Sequence, residues 1–539
     1  MPNYDILIRG ARIVDGTGNP YFYGDVALTG DRIAAVAPPR HIPADTVGEV
    51  IEAAGKVVCP GFIDLQSHSL MPFLTDGRSV SKVAQGVTTE IMGELWTPVP
   101  FGGRRVRMFG SIFGDEENEP NRPWTRFRDW MDFLSARGVS VNFGSFVGGA
   151  TVREYARGWE PGEATSEETD QMCRIVAEAM EEGAFGVATA LLYPPNAYAG
   201  NTELTRIARV IGKYNGVYIT HIRSEGDRLF ESIDETIQLS RDAHCPVEIY
   251  HLKATGERNW PKIPGVLARI DAARASGVDV TADMYPYAGS GTGLNTLLPD
   301  WASENGKLLD NLRDPAIRAR IYQAMVHPHP NDPPLESAYN PTRSHVLPIG
   351  LRLPAHQAYL GLRLPEIAAL RGQDWAETTL DLLHAEQQRI STIFFSMNED
   401  NVRLQLQQPW IKVSSDAPGL DPQYQNDPVH PRAYGTFTRV LGKYVREEKT
   451  LPLEDAVRKM TSAVAARLGL PDRGLLRPGF FADVVLFDPD TVQDRATFTA
   501  PHQLSVGIEN VWVNGVRVLR DSVHTGAHPG RAVYGAGRS

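Results

Sequence analysis

The middle of the chain, about residues 60–470, alternates apolar runs rich in β-forming residues with amphipathic helical stretches. This alternation is typical of parallel strands joined by crossover helices, and it favours an α/β fold closed into a (β/α)8 TIM-like barrel. The predicted strands are 57–64, 88–93, 141–147, 186–190, 217–223, 247–253, 278–285 and 410–416. Residues 390–396 also read as a strand, so either that run lies outside the barrel or one assignment is wrong.

Both ends of the chain have a different sequence pattern, in which short predicted strands are separated by residues typical of turns. Such runs occur at 5–9, 24–28, 482–487 and 511–518, and the last is split by an Asn-Gly hairpin turn at Asn514. We therefore expect a small β-sandwich made from both termini, residues 1–59 and 471–539, with the barrel at 60–470 between them. A Pro- and Asp-rich stretch after His327 predicts an insertion at about 290–350, near the active-site mouth.

The composition narrows the class of partner. The 539 residues carry a net charge of -11 and no long basic run, which disfavours nucleic-acid binding and favours a small-molecule partner. The three cysteines show no C-x-x-C spacing, and no export signal or membrane-spanning run is evident. We expect a cytoplasmic protein that does not bind membranes; homo-oligomer formation is left open.

Polar side chains occur at the carboxyl ends of several predicted apolar strands. His221 and His251 each close a strand, and Asp416 closes another. Because barrel enzymes build their sites at the carboxyl ends of strands, the three predict a metal site of imidazole and carboxylate ligands. A bound metal lowers the pKa of water from 15.7 to roughly 7, which makes hydroxide available. The simpler interpretations are hydrogen-bonding histidines and, for Asp416, a helix N-cap.

Six short motifs occur in one order along most of the chain. They are Pro60-Gly61-Phe62-Ile63-Asp64, Gly86-Val87-Thr88-Thr89, Thr220-His221-Ile222-Arg223-Ser224-Glu225-Gly226-Asp227, Tyr285-Pro286-Tyr287, His430-Pro431-Arg432 and Pro478-Gly479-Phe480-Phe481-Ala482-Asp483. Through them the sequence resembles the N-acyl-D-amino-acid deacylase (D-aminoacylase) group of the amidohydrolase superfamily. The resemblance implies a barrel with a small β-sandwich formed by both termini.

The resemblance also implies roles by position. His221 and His251 become ligands of one tightly held metal ion, with zinc suited to such donors. Asp416 becomes the carboxylate that takes a proton from the attacking water and passes it to the leaving nitrogen. The residues that match the family's ligands for the substrate carboxylate are Tyr285, Ser290 and Arg432. Lys253, two residues after a metal ligand, is expected to face the pocket, with a surface salt bridge as the alternative.

Two motifs depart from the family pattern. Where relatives carry His-x-His, this chain has Gln66-Ser67-His68, so His68 is kept but the second metal position is expected to be weak or empty. Where relatives have Gly-Asn-Cys-Gly, the chain has Gly93-Glu94-Leu95-Trp96. Glu94 is the candidate replacement for the missing thiolate ligand; the alternative is that it pairs with a neighbouring Arg or Lys.

Three functions fit these observations. The leading hypothesis is metal-dependent hydrolysis of the linear amide of an N-acyl amino acid, with the D configuration implied by the resemblance. The second is a cyclic-amide hydrolase of the same superfamily, which normally needs two metals and is disfavoured by the broken His-x-His. The third is a repurposed, metal-poor barrel without hydrolytic activity.

Overall fold

The strands and helices are distributed along the whole described chain, and the computed structural model describes residues 4–105, 124–327, 343–425 and 427–538. The strands are β1 (Tyr4–Ile13), β2 (Phe22–Thr29), β3 (Arg32–Ala37), β4 (Val47–Glu52), β5 (Val57–Pro60), β6 (Phe62–Asp64), β7 (Val87–Met92), β8 (Asn142–Ser145), β9 (Val147–Gly148), β10 (Gly186–Ala190), β11 (Val217–His221), β12 (Val247–Ile249), β13 (Val280–Met284), β14 (Ser290–Gly293), β15 (Val346–Pro348), β16 (Ser391–Phe394), β17 (Ile411–Val413), β18 (Val484–Phe487), β19 (Ile508–Val513), β20 (Val516–Arg520) and β21 (Val523–His524). The α-helices are α1 (Leu70–Thr75), α2 (Val80–Val83), α3 (Phe127–Arg137), α4 (Gly149–Ala156), α5 (Ser166–Glu181), α6 (Asn201–Lys213), α7 (Leu229–Ala243), α8 (Ile263–Ala275), α9 (Leu308–Arg313), α10 (Pro315–Val326), α11 (Leu364–Arg371), α12 (Trp375–Glu386), α13 (Glu399–Leu406), α14 (Arg432–Arg439), α15 (Leu453–Met460) and α16 (Ser462–Leu468).

Parallel strands separated by helices make up the middle of the chain. One parallel set runs β6-β7-β8 and a second runs β9-β10-β11-β12-β13-β17, with β8 and β9 separated only by Phe146. Hydrogen bonds also join the segments that follow β17 and β6: Asp416 N donates to Gln66 O at 2.9 Å, and His68 N donates to Ala417 O at 3.2 Å. The predicted α/β class is therefore confirmed.

The predicted strand 57–64 is wrong as a single element. It divides at Gly61 into β5, which belongs to the sheet of the chain termini, and β6, which pairs with β7. A Cβ at Gly61 would overlap the side chain of Thr88 on β7, so only glycine lets the chain pass from one sheet to the other here.

Several predicted strands end earlier than the sequence indicates. The run predicted as 247–253 ends at Ile249, and the run predicted as 410–416 ends at Val413. His251 (φ 33°) and Asp416 (φ 49°) have left-handed backbones, which the pleated ladder does not accommodate. His251 and Asp416 thus lie on sharp turns just beyond their strands, whereas His221 is the last residue of β11. In contrast, β10 (Gly186–Ala190) has the predicted bounds.

The region between Ser290 and Phe394 forms a substructure of its own. Its strands β14, β16 and β15 make a three-stranded antiparallel sheet, so the ninth predicted strand at 390–396 lies outside the parallel set. Four helices, α9 to α12, pack their apolar residues into a separate core with this sheet. The predicted insertion at 290–350 is therefore longer and more helical than its loop-like composition indicates. Most of the Pro-rich stretch after His327 lies outside the described residues.

Both ends of the chain contribute to one nine-stranded sheet, as predicted. Its order is β21-β20-β19-β18-β5-β1-β2-β3, with β4 beside β1, and β18 from the C-terminal part pairs antiparallel with β5. The chain then leaves this sheet, and Val533 N donates to Phe143 O on β8 at 2.8 Å. None of the helices in the described ranges is long and apolar enough to cross a lipid bilayer.

The β19–β20 hairpin turn provides a test of the terminal sheet. Asn514 (φ 48°) and Gly515 (φ 79°) form the predicted Asn-Gly turn, and a Cβ at Gly515 would lie 1.9 Å from Gly30 O. Gly526 also has φ 79° but has no atom within 4 Å of such a Cβ. We expect Gly526→Ala to lower the free energy of unfolding by about 1–2 kcal/mol through backbone strain. Gly515→Ala should cost about 1–3 kcal/mol more through the clash.

Urea denaturation of the two variants and the wild type measures this difference. Equal losses would show that the turn tolerates the extra methyl group and that the contact with Gly30 does not constrain the hairpin.

Candidate metal centre

Three side chains bring potential ligand atoms together, one from the end of β11 and two from the turns that follow β7 and β12. They are Glu94, His221 and His251, and one donor atom from each lies within 4.8 Å of the others. Glu94 Oε1 is 3.6 Å from His221 Nδ1 and 3.6 Å from His251 Nε2. Two ligands of a tetrahedral ion bound at 2.0–2.1 Å lie roughly 3.3 Å apart, so this spacing suits a divalent metal. The structure therefore brings the predicted ligand set together.

A second cluster shares Glu94 with the first. His68 Nε2 lies 2.8 Å from Asp416 Oδ1 and 3.4 Å from Glu94 Oε2. Gln66 Nε2 donates to Glu94 Oε2 at 2.5 Å and contacts Asp416 Oδ1 at 3.2 Å. The amide of Gln66 thus lies between two carboxylates.

The alternative interpretations of Glu94 and Asp416 do not match the structure. Within the described ranges, no arginine or lysine is within ion-pair distance of Glu94, whose charged neighbours are His68, His221 and His251. No helix begins after Asp416, because the next helical segment is the short 3-10 turn at Pro422–Tyr424. The Asp416 carboxylate instead contacts His68, Gln66 and Arg432.

The carboxylates of the centre are held in the ionised state. Burial alone would raise the pKa of Asp416, but the Arg432 charge and the His68 contact lower it to about 2. Burial is likewise outweighed at Glu94, whose contacts with His221 and His251 bring its pKa well below the usual range. The centre therefore presents two negative charges over the ordinary physiological pH range.

Behind the two histidines lies an ion pair that sequence reasoning did not identify. Glu225 Oε1 is 3.1 Å from His251 Nδ1 and 3.7 Å from His221 Nε2, and Lys253 Nζ donates to it at 2.5 Å. Burial would raise the pKa of Glu225, but Lys253 and the histidines lower it well below its usual range. Such an outer carboxylate orients metal-binding imidazoles. Its position within the motif Thr220–Asp227 was the available signal.

Lys253 is buried, and the salt bridge that it makes with Glu225 lies inside the protein. Its side chain is 5% exposed, and Nζ lies 2.8 Å from His251 Nδ1 and 5.9 Å from the centre of the Tyr285 ring. Burial and Lys253 would lower the pKa of His251, but hydrogen bonds to Glu225 and Glu94 raise it to about 10. Lys253 is thus part of the support for the histidines as well as of the pocket wall.

The residues predicted to bind a carboxylate lie on the other side of Asp416. Arg432 NH1 is 2.8 Å from Asp416 Oδ2, and the guanidinium carbon lies 4.6 Å from the centre of the Tyr285 ring. Arg432 Nε is buried and has no hydrogen-bond partner in the described part of the chain. Ser290 begins β14 beside Gly291, where a Cβ would lie 3.4 Å from Arg432 NH2. Arg432, Tyr285 and β14 therefore surround one wall of the pocket.

A fully buried network fixes the turn that carries Asp416. Lys82 Nζ donates to Asp64 Oδ2 at 2.5 Å and to Ala417 O at 2.8 Å. The same carboxylate accepts hydrogen bonds from Ser415, at 2.9 Å from its backbone N and 2.6 Å from its hydroxyl. The network ties the ends of β6 and β17 together on either side of the catalytic candidate.

Comparisons with known proteins agree with this geometry. The model of the amidohydrolase family matches residues 49–296 and 365–519. An N-acyl-D-glutamate deacylase and a D-aminoacylase, both from Alcaligenes xylosoxydans xylosoxydans, are 35% and 33% identical; the matches cover 96% and 98% of this chain, and 93% and 97% of the relatives. A solved N-acyl-D-glutamate deacylase from Bordetella bronchiseptica, complexed with zinc and a phosphonate inhibitor, is 32% identical with a TM-score of 0.80, covering 98% of this chain and 99% of that one.

The family match leaves out 297–364, which lies within the helical insertion described above. Elsewhere it spans the segments that supply Glu94, His221, His251 and Asp416. The chain belongs to the amidohydrolase family, in the group of N-acyl-D-amino-acid deacylases.

Proposed function

We propose that this protein hydrolyses the linear amide bond of an N-acyl-D-amino acid with the help of one bound divalent metal ion. The observation that carries the proposal is the juxtaposition of the Glu94, His221 and His251 donor set with the Asp416 carboxylate and the Arg432 guanidinium. Water and the substrate yield a carboxylic acid and a free amino acid. The high similarity to deacylases over nearly the full length supports this reaction.

Glu94, His221 and His251 would hold the metal ion, with zinc proposed because imidazole and carboxylate donors suit it. Glu94 Oε1 lies 3.6 Å from both His221 Nδ1 and His251 Nε2, and no lysine or arginine of the described ranges pairs with this carboxylate, so the donor set fits a cation. When bound, the ion activates water and polarises the amide carbonyl. The Gln66 amide fills the space between Glu94 and Asp416, which supports the proposal that His68 does not hold a second tight metal.

Asp416 would handle the proton of the reaction. Its ionised carboxylate accepts a proton from the attacking water and delivers it to the nitrogen as the C–N bond breaks, so that the amine leaves neutral. Arg432 and His68 hold the two carboxylate oxygens from different sides, which fixes their direction.

Arg432 would bind the substrate α-carboxylate, together with Tyr285 and Ser290. A guanidinium offers forked donors that match a carboxylate, and the unused Nε of Arg432 leaves this fork incompletely occupied. Lys253 would contribute positive charge on the Tyr285 side of the pocket while holding Glu225.

We also assign the nine parallel strands, with β8 and β9 counted as one because only Phe146 separates them, to a (β/α)8 barrel at 60–470. We assign the nine-stranded terminal sheet to the β-sandwich expected from 1–59 and 471–539. The backbone hydrogen bonds between the ends of β17 and β6 support closure of the barrel. Placement of the site at the carboxyl ends of these strands then follows the general rule for the fold.

The role of Glu94 is tested by Glu94→Gln, which keeps the shape of the side chain and removes its charge. We expect metal affinity to fall by more than the roughly 10- to 100-fold that loss of an outer-shell partner costs, because a direct ligand is removed. Metal content after dialysis and binding calorimetry measure the effect. His221→Ala serves as the positive control. Glu203→Gln, at a buried carboxylate paired with Arg153, is the matched negative control. Unchanged metal content in Glu94→Gln would contradict the assignment.

Gln66→His tests the reason for a single metal. The new imidazole would join His68 next to two carboxylates, and we expect about one further equivalent of bound zinc per chain. Metal analysis after equilibration with zinc provides the measurement. Gln407→His, at an exposed position after α13, controls for adventitious binding to a new histidine. An unchanged number of bound zinc ions in Gln66→His would show that Gln66 is not what prevents a second metal ion from binding.

Arg432→Ala tests carboxylate recognition. Loss of a charge-assisted pair should lower kcat/KM for N-acyl-D-amino acids by about 10- to 100-fold, mainly through KM. The corresponding N-acyl-D-amino acid amides lack the charge and should change little. Steady-state kinetics with each acid and its amide separate the two effects, and an equal loss on both would rule out a role in binding the carboxylate.

A further inference from the structure

A second arginine reaches the pocket from the helical insertion. Arg389 lies just before β16, and its side chain passes over Gly293 of the neighbouring β14, where a Cβ would lie 3.3 Å from Arg389 Nε. The two strands pair antiparallel, with Gly293 opposite Ser391. The absence of a side chain at Gly293 therefore leaves room for Asn295 and for the Arg389 side chain.

A short series of contacts leads from the metal ligands to this arginine. The ring of Tyr193 lies 5.4 Å from that of His221, centre to centre, and Tyr193 OH is 2.9 Å from Thr292 Oγ1. Thr292 precedes Gly293, over which Arg389 lies. Arg389 is thus a neighbour of the same pocket wall as His221, although the two residues are far apart in sequence.

The Arg389 guanidinium lacks a carboxylate partner among the residues that the structure describes. Within residues 4–105, 124–327, 343–425 and 427–538, no carboxylate lies within ion-pair distance of its guanidinium, whereas Arg432 pairs with Asp416 and Arg439 pairs with Asp494. Arg389 is exposed to solvent, yet burial of its guanidinium by the surrounding protein lowers its pKa. The nearby Tyr193 and Asp416 raise this pKa, and Arg432 lowers it. A guanidinium that is exposed to solvent and also surrounded by protein is characteristic of the wall of a cleft.

We propose that Arg389 binds a second carboxylate of the substrate, so that the preferred substrates are N-acyl-D-amino acids with two carboxylates. This inference rests on the proposed function, in which Arg432 takes the α-carboxylate. Asp416 already pairs with Arg432, whereas Arg389 has no carboxylate beside it in the described ranges, so a second carboxylate on the substrate would supply the charge that Arg389 lacks. Arg389 is a specificity-determining residue and does not touch the reacting atoms. The second carboxylate is located on the amino-acid side chain or on the acyl group.

The experiment compares kcat/KM of the metal-loaded wild type, Arg389→Met and Arg389→Lys. N-acetyl-D-glutamate and its neutral isostere N-acetyl-D-glutamine test a side-chain carboxylate, and N-succinyl-D-leucine with N-acetyl-D-leucine tests an acyl-chain carboxylate. Arg313→Met, at an exposed arginine of the same insertion, is the matched control. Circular dichroism and metal content of each variant establish that the fold and the centre are retained.

We expect Arg389→Met to lower kcat/KM for one dicarboxylic substrate by about 10- to 100-fold and to leave its neutral partner within about 3-fold. Arg389→Lys should restore part of the loss, because it keeps the charge without the fork. The pair that responds identifies where the carboxylate lies. Equal losses on charged and neutral substrates, or no loss on either, would overturn the assignment of Arg389. Failure of the wild type to hydrolyse any of the four compounds would instead overturn the proposed function.

Discussion

The Glu94 carboxylate is the interaction on which the candidate centre depends. One oxygen faces His221 and His251, and the other faces His68 and Gln66. A buried carboxylate is costly unless its charge is compensated, and these neighbours are imidazoles and an amide. Asp416, in contrast, already has Arg432 as a full counterion. Positive charge beside Glu94 therefore comes from its histidine neighbours or from a bound cation, whereas beside Asp416 it comes from an arginine.

Two buried ion pairs keep the surrounding residues in place without adding to that demand. Lys253 neutralises Glu225 behind the histidines, and Lys82 neutralises Asp64 beneath the turn that follows β17. Buried pairs of this kind contribute little net stability, but removal of one partner leaves a charge without compensation. They fix the orientation of the His221 and His251 rings on one side of the centre and of the Asp416 carboxylate on the other. Glu94, predicted to replace a thiolate ligand, thus lies between residues that buried ion pairs hold in place.

The sequence allowed the strand-end residues to be predicted, because an apolar run followed by His251 or Asp416 is a local pattern. It did not reveal that both residues lie on left-handed turns beyond shorter strands. It also missed the break at Gly61, which depends on the position of Thr88 in another strand. Glu225 was overlooked for the same reason: its role depends on a lysine 28 residues away that only the fold brings to it. What could not be predicted was the contact between distant segments.

The terminal sheet has a consequence for the order in which the protein is made. Strand β5 lies between β1 and β18, so one of its edges is completed only by a segment synthesised more than 400 residues later. At a rate of synthesis of about 5–20 residues per second, that edge remains unpaired for on the order of 20–80 seconds during translation. Unpaired strand edges are templates for association with other chains. The nascent chain therefore passes through a period in which β1 to β5 need protection from other chains, until β18 has been synthesised and completes the sheet.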